Sequence, residues 1–114
     1  MKLKIIFSFL VILIISTVLS GCSKGSGKYD GFAQCLTEKD AVMYGTEWCS
    51  HCQNQKKAFG SSFQYVYYVD CDRNKQECLD AGVRGYPTWI INGSKYSGEQ
   101  PLYRLSSLTG CELK

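Results

Sequence analysis

The stretch that decides the fold is YGTEWCSHC (residues 44–52), which ends in a Cys-x-x-Cys pair. The compact apolar run just before it, residues 41–44, predicts a buried strand that ends at Gly45. Residues 49–59 contain no Pro or Gly and stop at Gly60, which predicts a helix that ends at a glycine. A strand, a short loop and a helix that opens on two closely spaced cysteines together indicate a redox site.

The two cysteines of this pair have different predicted roles. Cys49 falls at the N-terminus of the predicted helix, where free N–H groups and the helix dipole favour an anion. This position stabilises the thiolate, which is the nucleophilic form of cysteine. Cys52 lies on the same helical face, close enough to form a disulfide with Cys49. We therefore expect Cys49 to exchange with a substrate thiol or disulfide, and Cys52 to resolve the mixed disulfide.

A zinc site and a structural disulfide are the two alternative uses of the pair. A zinc site would need a second ligand pair, but Cys71 and Cys78 are seven residues apart and do not form a Cys-x₂₋₄-Cys half-site. His51 is the single histidine, which excludes zinc sites with two histidines. A purely structural disulfide between Cys49 and Cys52 would constrain the unfolded chain very little, because its loop is so short. We expect no metal and no cofactor here.

The first residues of the chain predict an export signal. A positively charged start, MKLK (residues 1–4), precedes residues 5–15, which are apolar except for Ser8. This apolar run is shorter than the roughly 20 residues of a comfortable membrane span. LSGC (residues 19–22) is similar to the lipobox at which prokaryotic lipoproteins are cleaved, which implies a mature chain that begins at a lipidated Cys22. The alternative is an uncleaved anchor helix with an incidental cysteine.

This interpretation divides the chain into three parts. Residues 1–21 are the expected signal peptide, residues 22–30 a flexible Gly/Ser-rich tether, and residues 31–114 the folded domain. We expect the domain outside the cytoplasm, held at the cell membrane by its lipid. The net charge of +3 comes without a basic stripe interleaved with aromatics, so we expect no nucleic-acid partner. An apolar content of 45% excludes a disordered chain.

Seven cysteines in 114 residues indicate an oxidising compartment. Beyond Cys22 and the Cys-x-x-Cys pair, four cysteines remain, and three pairings are possible. Cys71 ends a predicted strand and Cys78 lies in the next helix, which favours a local Cys71–Cys78 disulfide. A Cys35–Cys111 disulfide would then close most of a domain that is too small to rely on its core alone. The alternative is that Cys35 or Cys111 is a free, buried thiol.

The rest of the chain alternates helices and strands. Strands are predicted at residues 63–69, 88–91 and 95–97, and helices at residues 31–38, from Asn74 to near Gly82, and from Pro101 to about Leu108. The helix predicted to begin at Asn74 has the residue spacing of a capping box at its start. Asn92-Gly93 is a strong hairpin signal. This order predicts an α/β fold around a small mixed sheet.

The chain resembles the thioredoxin family over about residues 40–110. The resemblance is carried by EWCSHC (residues 47–52) and by the YPT motif that begins 34 residues after Cys52. It implies a thioredoxin-like fold, with a four-stranded mixed sheet flanked by helices. It also implies that Pro87 is a cis proline packed against the redox pair. Trp48 and Tyr86 are the expected substrate-binding residues, with the Tyr86 backbone presented to an extended peptide.

Within that family, residues 44–52 and 85–93 look most like the thioredoxin-like partner domain of vitamin K epoxide reductase homologues. That resemblance implies a membrane quinone reductase that re-oxidises the pair, and client proteins that carry thiols or disulfides. Met43 departs from the pattern, because cytosolic thioredoxins have a buried Asp six residues before the first cysteine. Since that Asp helps to move a proton during disulfide reduction, Met43 counts against a general reductase.

His51 and the direction of electron flow are linked. An imidazolium beside the Cys49 thiolate would stabilise the reduced form and make the disulfide more oxidising, although an exposed histidine that only fills a helix position is the alternative. The expected function is therefore an extracytoplasmic thiol–disulfide oxidoreductase that promotes disulfide formation in exported proteins. Two alternatives stay open: an extracytoplasmic disulfide reductase, and a non-catalytic module of the same fold that binds a partner or a metal such as copper.

Overall fold

The computed structural model describes residues 2, 3, 5 and 26–114. The predicted lipidation site Cys22 and nearly all of the predicted signal peptide (residues 1–21) lie outside the described residues. In the described part of the chain, no helix has the length and apolar character needed to cross a membrane.

The domain is a four-stranded mixed sheet flanked by helices, which confirms the predicted fold class. Its elements are α1 (Asp30–Glu38), β1 (Ala41–Gly45), α2 (Ser50–Phe59), a 3₁₀ helix (Gly60–Tyr65), β2 (Tyr67–Asp70), α3 (Lys75–Asp80), β3 (Thr88–Ile91), β4 (Ser94–Ser97) and α4 (Leu102–Thr109). The strand order is β2-β1-β3-β4. The β1–β2 pair is parallel, and the other two pairs are antiparallel.

The core follows the alternation of side chains along β1. Ala41 and Met43 point to one face of the sheet and Tyr44 to the other, as the two-residue period of a strand requires. The larger cluster joins that first face to Trp89 of β3 and Phe59 of α2, both nearly inaccessible to solvent. Burying one such large apolar side chain stabilises the fold by about 1.5–3 kcal/mol, so this cluster fixes α2 against the sheet.

The strand predicted at residues 63–69 is wrong over its first half. Residues 63–65 belong to the 3₁₀ helix, and the strand runs only over Tyr67–Asp70. The Val66 N–H donates to the Phe63 carbonyl at 2.9 Å, which is a turn and not a strand pairing. The Phe63 ring packs against Phe59 and Tyr68, with centroids 6.0 and 5.6 Å away. These aromatic residues therefore reach the core from a tight turn. The composition of the segment is the same as that of a strand, so it does not distinguish the two structures.

The capping box predicted at Asn74 is also wrong. Asn74 precedes α3 but makes no side-chain cap; its amide donates instead to the Asp70 carbonyl at 3.1 Å. The predicted hairpin, by contrast, is confirmed by the antiparallel pairing of β3 with β4. Asn92 and Gly93 have φ angles of 50° and 80°, as the two central residues of a type I′ turn require.

Two disulfides tie the domain together. One joins Cys35 of α1 to Cys111 after α4, with Cα atoms 5.8 Å apart and a sequence separation of 76. The other joins Cys71, just after β2, to Cys78 in α3, with a separation of 7. The long disulfide therefore links the two ends of the domain, and the short one fixes α3 to the end of β2.

Contacts with the domain begin before residue 31. The Tyr29 N–H donates to Ser62 Oγ at 2.9 Å, and the Gly27 N–H donates to the Asp30 carboxylate at 2.8 Å. Helix α1 begins at Asp30, one residue earlier than the sequence predicted. The last residues of the segment assigned as a tether are therefore fixed to the 3₁₀ helix.

Candidate redox site

Cys49 occupies the N-cap position of α2. Its backbone is extended, with φ −75° and ψ 117°, and its sulfur accepts a hydrogen bond from the Cys52 N–H at 3.2 Å. An N-cap side chain satisfies one of the free N–H groups of the first helical turn, a role usually taken by an oxygen atom. Here the sulfur of Cys49 takes it, so the first turn of α2 directs a backbone N–H at this sulfur.

Cys52 lies deeper, with no exposed surface. Burial and a hydrogen bond with Cys49 raise the pKa of the Cys52 thiol to about 12, although a backbone hydrogen bond from Thr46 and the charge of Lys56 act in the opposite sense. At neutral pH Cys52 is therefore a thiol. Both cysteines are free, with Cys49 (8% exposed) as the outer sulfur and Cys52 as the inner one.

The second predicted motif lies directly beside the first. The Tyr86–Pro87 peptide bond is cis, and Pro87 is fully buried. The Cys49 thiol approaches the Tyr86 carbonyl, with 3.5 Å between sulfur and oxygen. Two residues 37 apart in sequence therefore meet, and a backbone carbonyl borders the reacting sulfur.

Two exposed aromatic residues flank Cys49. Trp48 is 71% exposed and Tyr86 36%, and their rings meet edge to face with centroids 6.1 Å apart. The Trp48 indole N–H donates to the Asp72 carboxylate at 2.9 Å, which fixes the ring. This aromatic pair gives an apolar surface next to Cys49. Sequence reasoning missed Asp72, since nothing local links it to Trp48.

The His51 side chain pairs with Glu99. Its Nδ1 lies 2.7 Å from Glu99 Oε1, and Asn54 donates to the same oxygen at 3.2 Å. The hydrogen bond with His51 is the main cause of a lowered Glu99 pKa. In the described part of the chain, no hydrogen bond joins His51 to Cys49 or Cys52. Any effect of the imidazole on the thiolate is therefore a charge effect, shared with a carboxylate that the sequence did not reveal.

A buried glutamine connects α2 to the rest of the site. Gln55 accepts hydrogen bonds from the Trp89 indole at 3.1 Å and from the Gln100 N–H at 2.7 Å. Its amide nitrogen donates to the Gln100 carbonyl at 3.0 Å. These bonds hold α2 against β3, and they hold the segment that carries Glu99. The sequence does not single out Gln55, because a glutamine in a Gln- and Lys-rich stretch is typical of an exposed helix surface.

Among residues 26–114, no cluster of three or more Cys, His, Asp or Glu side chains could hold a metal ion. The two thiols, beside the cis-proline loop and the aromatic pair, can perform thiol–disulfide exchange.

Comparison with known proteins gives a consistent result. The family model described as Thioredoxin matches residues 27–108. Thiol-disulfide oxidoreductase LTO1 from Arabidopsis thaliana is 42% identical over 90 residues, which cover 71% of this chain and 24% of that protein. Thioredoxin domain-containing protein 5 homolog from Drosophila melanogaster is 33% identical over 92 residues, or 68% of this chain and 22% of that protein. The chain thus spans about a quarter of the length of these relatives.

Among solved structures, the thioredoxin of Fasciola hepatica is similar to this chain. The TM-score is 0.46 at 23% sequence identity, and the match covers 63% of this chain and 79% of that one.

Proposed function

This chain belongs to the thioredoxin family, and from that premise we propose that it is a thiol–disulfide oxidoreductase that promotes disulfide formation in exported proteins. The observation that carries the proposal is the pair of free thiols at the start of α2. The outer sulfur, Cys49, borders the Tyr86 carbonyl, and the inner sulfur, Cys52, is buried and protonated. One cysteine is thus placed to meet a client, and the other to complete the exchange.

The proposed oxidation runs through a mixed disulfide. A client thiolate attacks the Cys49 sulfur of the oxidised pair, the Cys49–Cys52 bond breaks, and Cys52 leaves as a thiolate that takes a proton from solvent. A second client thiolate then attacks the client sulfur of the mixed disulfide and releases Cys49 as a thiolate. The client gains a disulfide, and the protein keeps both electrons as a dithiol, which must be re-oxidised before the next turn.

The direction of the reaction is supported by what stabilises the dithiol. The Cys49 sulfur accepts the Cys52 N–H at the start of α2. This arrangement favours the reduced form of the pair, and stabilising the reduced form raises the reduction potential. The buried strand position of Met43 holds no carboxylate that could accept the Cys52 proton. His51 adds positive charge when it is protonated, although Glu99 offsets part of it. These features together favour an oxidant over a general reductase.

Location and partner complete the proposal. The LSGC motif supports a lipid anchor at Cys22, and two disulfides besides the redox pair suit a compartment in which disulfides persist. The resemblance of residues 44–52 and 85–93 to the partner domain of vitamin K epoxide reductase homologues supports re-oxidation by a membrane oxidase of that type. Tethering both proteins to one membrane raises their effective concentration.

The anchor makes a direct prediction about mass. Intact mass spectrometry of the native protein should show the loss of residues 1–21 and an added acyl mass on Cys22. A mature chain that still carries the apolar run of residues 5–15 would contradict the anchor, because cleavage at LSGC removes it.

Turnover of insulin disulfides separates an enzyme from a binding module. The wild-type protein should reduce insulin in the presence of a thiol reductant, while the Cys49→Ser variant should stay at the background rate because it lacks the nucleophile. Equal rates for the two proteins would favour the non-catalytic module. The assay detects exchange in either direction, so it tests the activity and leaves the direction to the reduction potential.

A further inference from the structure

The inner cysteine has to carry a charge in a buried position. Cys52 must carry negative charge when it attacks the Cys49 sulfur or leaves it, yet its side chain has no exposed surface. Creating a charge in such a site is costly unless a partner stabilises it. Met43, which lies in the same core cluster, offers no charged or polar group to do so.

A cation lies on the same face of the helix. Lys56 follows Cys52 by four residues in α2, and side chains four residues apart on a helix are neighbours. The Lys56 side chain is only 18% exposed, and its ammonium lies 3.0 Å from Glu47 Oε1. It also lies 4.2 Å from the centroid of the Tyr68 ring. The next residue, Lys57, is exposed, so only one of two adjacent lysines turns inward.

Gly45 lets the Tyr68 ring and the Cys52 sulfur come together. A Cβ atom at Gly45 would lie 2.8 Å from Cys52 Sγ and 3.3 Å from Tyr68 Cε2. The ring and the sulfur therefore both rest on the bare backbone of this glycine. The Lys56 ammonium lies over the same Tyr68 ring, so its surroundings on that side are aromatic and not water. A charge that acts through such a low-dielectric region is screened far less than one in water.

We propose that Lys56 is a positioning cation for the inner cysteine: held by Glu47 over Tyr68, its ammonium stabilises the negative charge that Cys52 carries during exchange. This inference rests on the proposed function. Lys56 touches no reacting atom and transfers no proton, and it acts on Cys52 through its charge alone.

The step in the reducing direction shows where that charge forms. The Cys49 thiolate attacks a client disulfide, a mixed disulfide forms, and the first client sulfur leaves as a thiolate. That thiolate takes the Cys52 proton, directly or through water. The Cys52 thiolate then attacks Cys49, the Cys49–Cys52 bond forms, and the second client sulfur leaves as a thiolate. Lys56 stabilises the Cys52 thiolate of the last step and, in the reverse direction, the same thiolate as a leaving group.

The test compares two adjacent lysines. In rapid acid-quench experiments on the reduced protein with a disulfide-bonded peptide, the Lys56→Met variant should resolve its mixed disulfide about three- to tenfold more slowly than the wild type. The effect is moderate, because a less stable thiolate is scarcer but also more nucleophilic. Lys57→Met removes the same charge from the exposed face and should resolve within about twofold of the wild-type rate. Lys56→Arg keeps the charge and should restore most of the rate.

A second readout excludes a merely structural role. At neutral pH the dithiol form carries Cys52 as a thiol, so Lys56→Met should slow resolution and leave the reduction potential unchanged. Equal rates for Lys56→Met and Lys57→Met would overturn the inference, and so would a Lys56→Arg variant as slow as Lys56→Met. If Lys56→Met fails to fold, the other two variants still test the inference. Slow resolution by Lys56→Arg together with a normal rate for Lys57→Met would overturn a role that depends on charge alone. A wild-type protein that forms no Cys49–Cys52 disulfide would instead refute the proposed function.

Discussion

Replacement of Cys52 by serine should trap the protein in a mixed disulfide with its client. Cys49 keeps its place at the N-cap of α2 in this variant and still attacks a disulfide, but no second thiol remains to release the mixed disulfide. Multiple turnover should therefore stop, while a covalent adduct accumulates and survives non-reducing electrophoresis. Peptide mapping of the adduct should locate the client on Cys49.

The matched control for this trap is the Cys49→Ser variant, which should form no adduct at all. The other four cysteines of the domain are held in disulfides, so they offer no competing thiol. A client attached at Cys52 in the Cys49→Ser variant would exchange the roles of the two sulfurs. Unimpaired turnover by Cys52→Ser would contradict a mechanism that needs both.

Removal of the Cys35–Cys111 disulfide should cause the largest loss of stability of any change at the structural cysteines. This bridge closes a loop with a sequence separation of 76, and loop entropy assigns it about 4–5 kcal/mol as an upper value. The Cys71–Cys78 bridge, with a separation of 7, is assigned about 2–3 kcal/mol. Urea unfolding of the Cys35→Ala/Cys111→Ala and Cys71→Ala/Cys78→Ala variants should rank the two losses in that order.

The comparison is informative because both variants replace two sulfurs by two hydrogens. A larger loss for Cys71→Ala/Cys78→Ala than for Cys35→Ala/Cys111→Ala would show that local packing, not loop closure, dominates the contribution of these bridges. If the long-bridge variant is unfolded before urea is added while the short-bridge variant stays folded, the expected ranking holds.

The parts of the site that the sequence predicted well are those that depend on local spacing. Cys49 and Cys52 lie within one helical turn, so their placement follows from the start of α2. The hairpin at Asn92 follows from a backbone conformation that few residue types adopt. A short motif with its own conformational requirement therefore carries structural information without the rest of the chain.

The parts that sequence reasoning missed depend on contacts between distant and common residue types. Glu99 lies 48 residues from His51, and Asp72 lies 24 residues from Trp48; neither carboxylate differs in sequence from an ordinary surface residue. Gln55 is buried and accepts two hydrogen bonds because β3 and the segment before α4 pack over it. Long-range polar partners of this kind appear only once the topology is known.

Strand prediction failed at Phe63 for a related reason. Aromatic and β-branched residues are enriched in strands, but the same residues also fill a core from a tight turn. Phe63 packs between Phe59 and Tyr68, and this tertiary packing overrides the local preference. The Tyr68 ring placed by that packing is the one that Lys56 covers, so the mispredicted turn also shapes the surroundings of the inner cysteine.

The reduction potential of the Cys49–Cys52 pair decides whether the protein is an oxidant or a reductase. The protein would be equilibrated with mixtures of reduced and oxidised glutathione, quenched with acid, and scored for the dithiol and disulfide forms by mass. A tenfold change in the equilibrium corresponds to about 30 mV for a two-electron couple, and family members range from about −270 to about −120 mV. We expect a potential above about −220 mV, in the oxidising part of that range. A value near −270 mV, about that of a cytosolic thioredoxin, would contradict this expectation and assign the protein to the reductases.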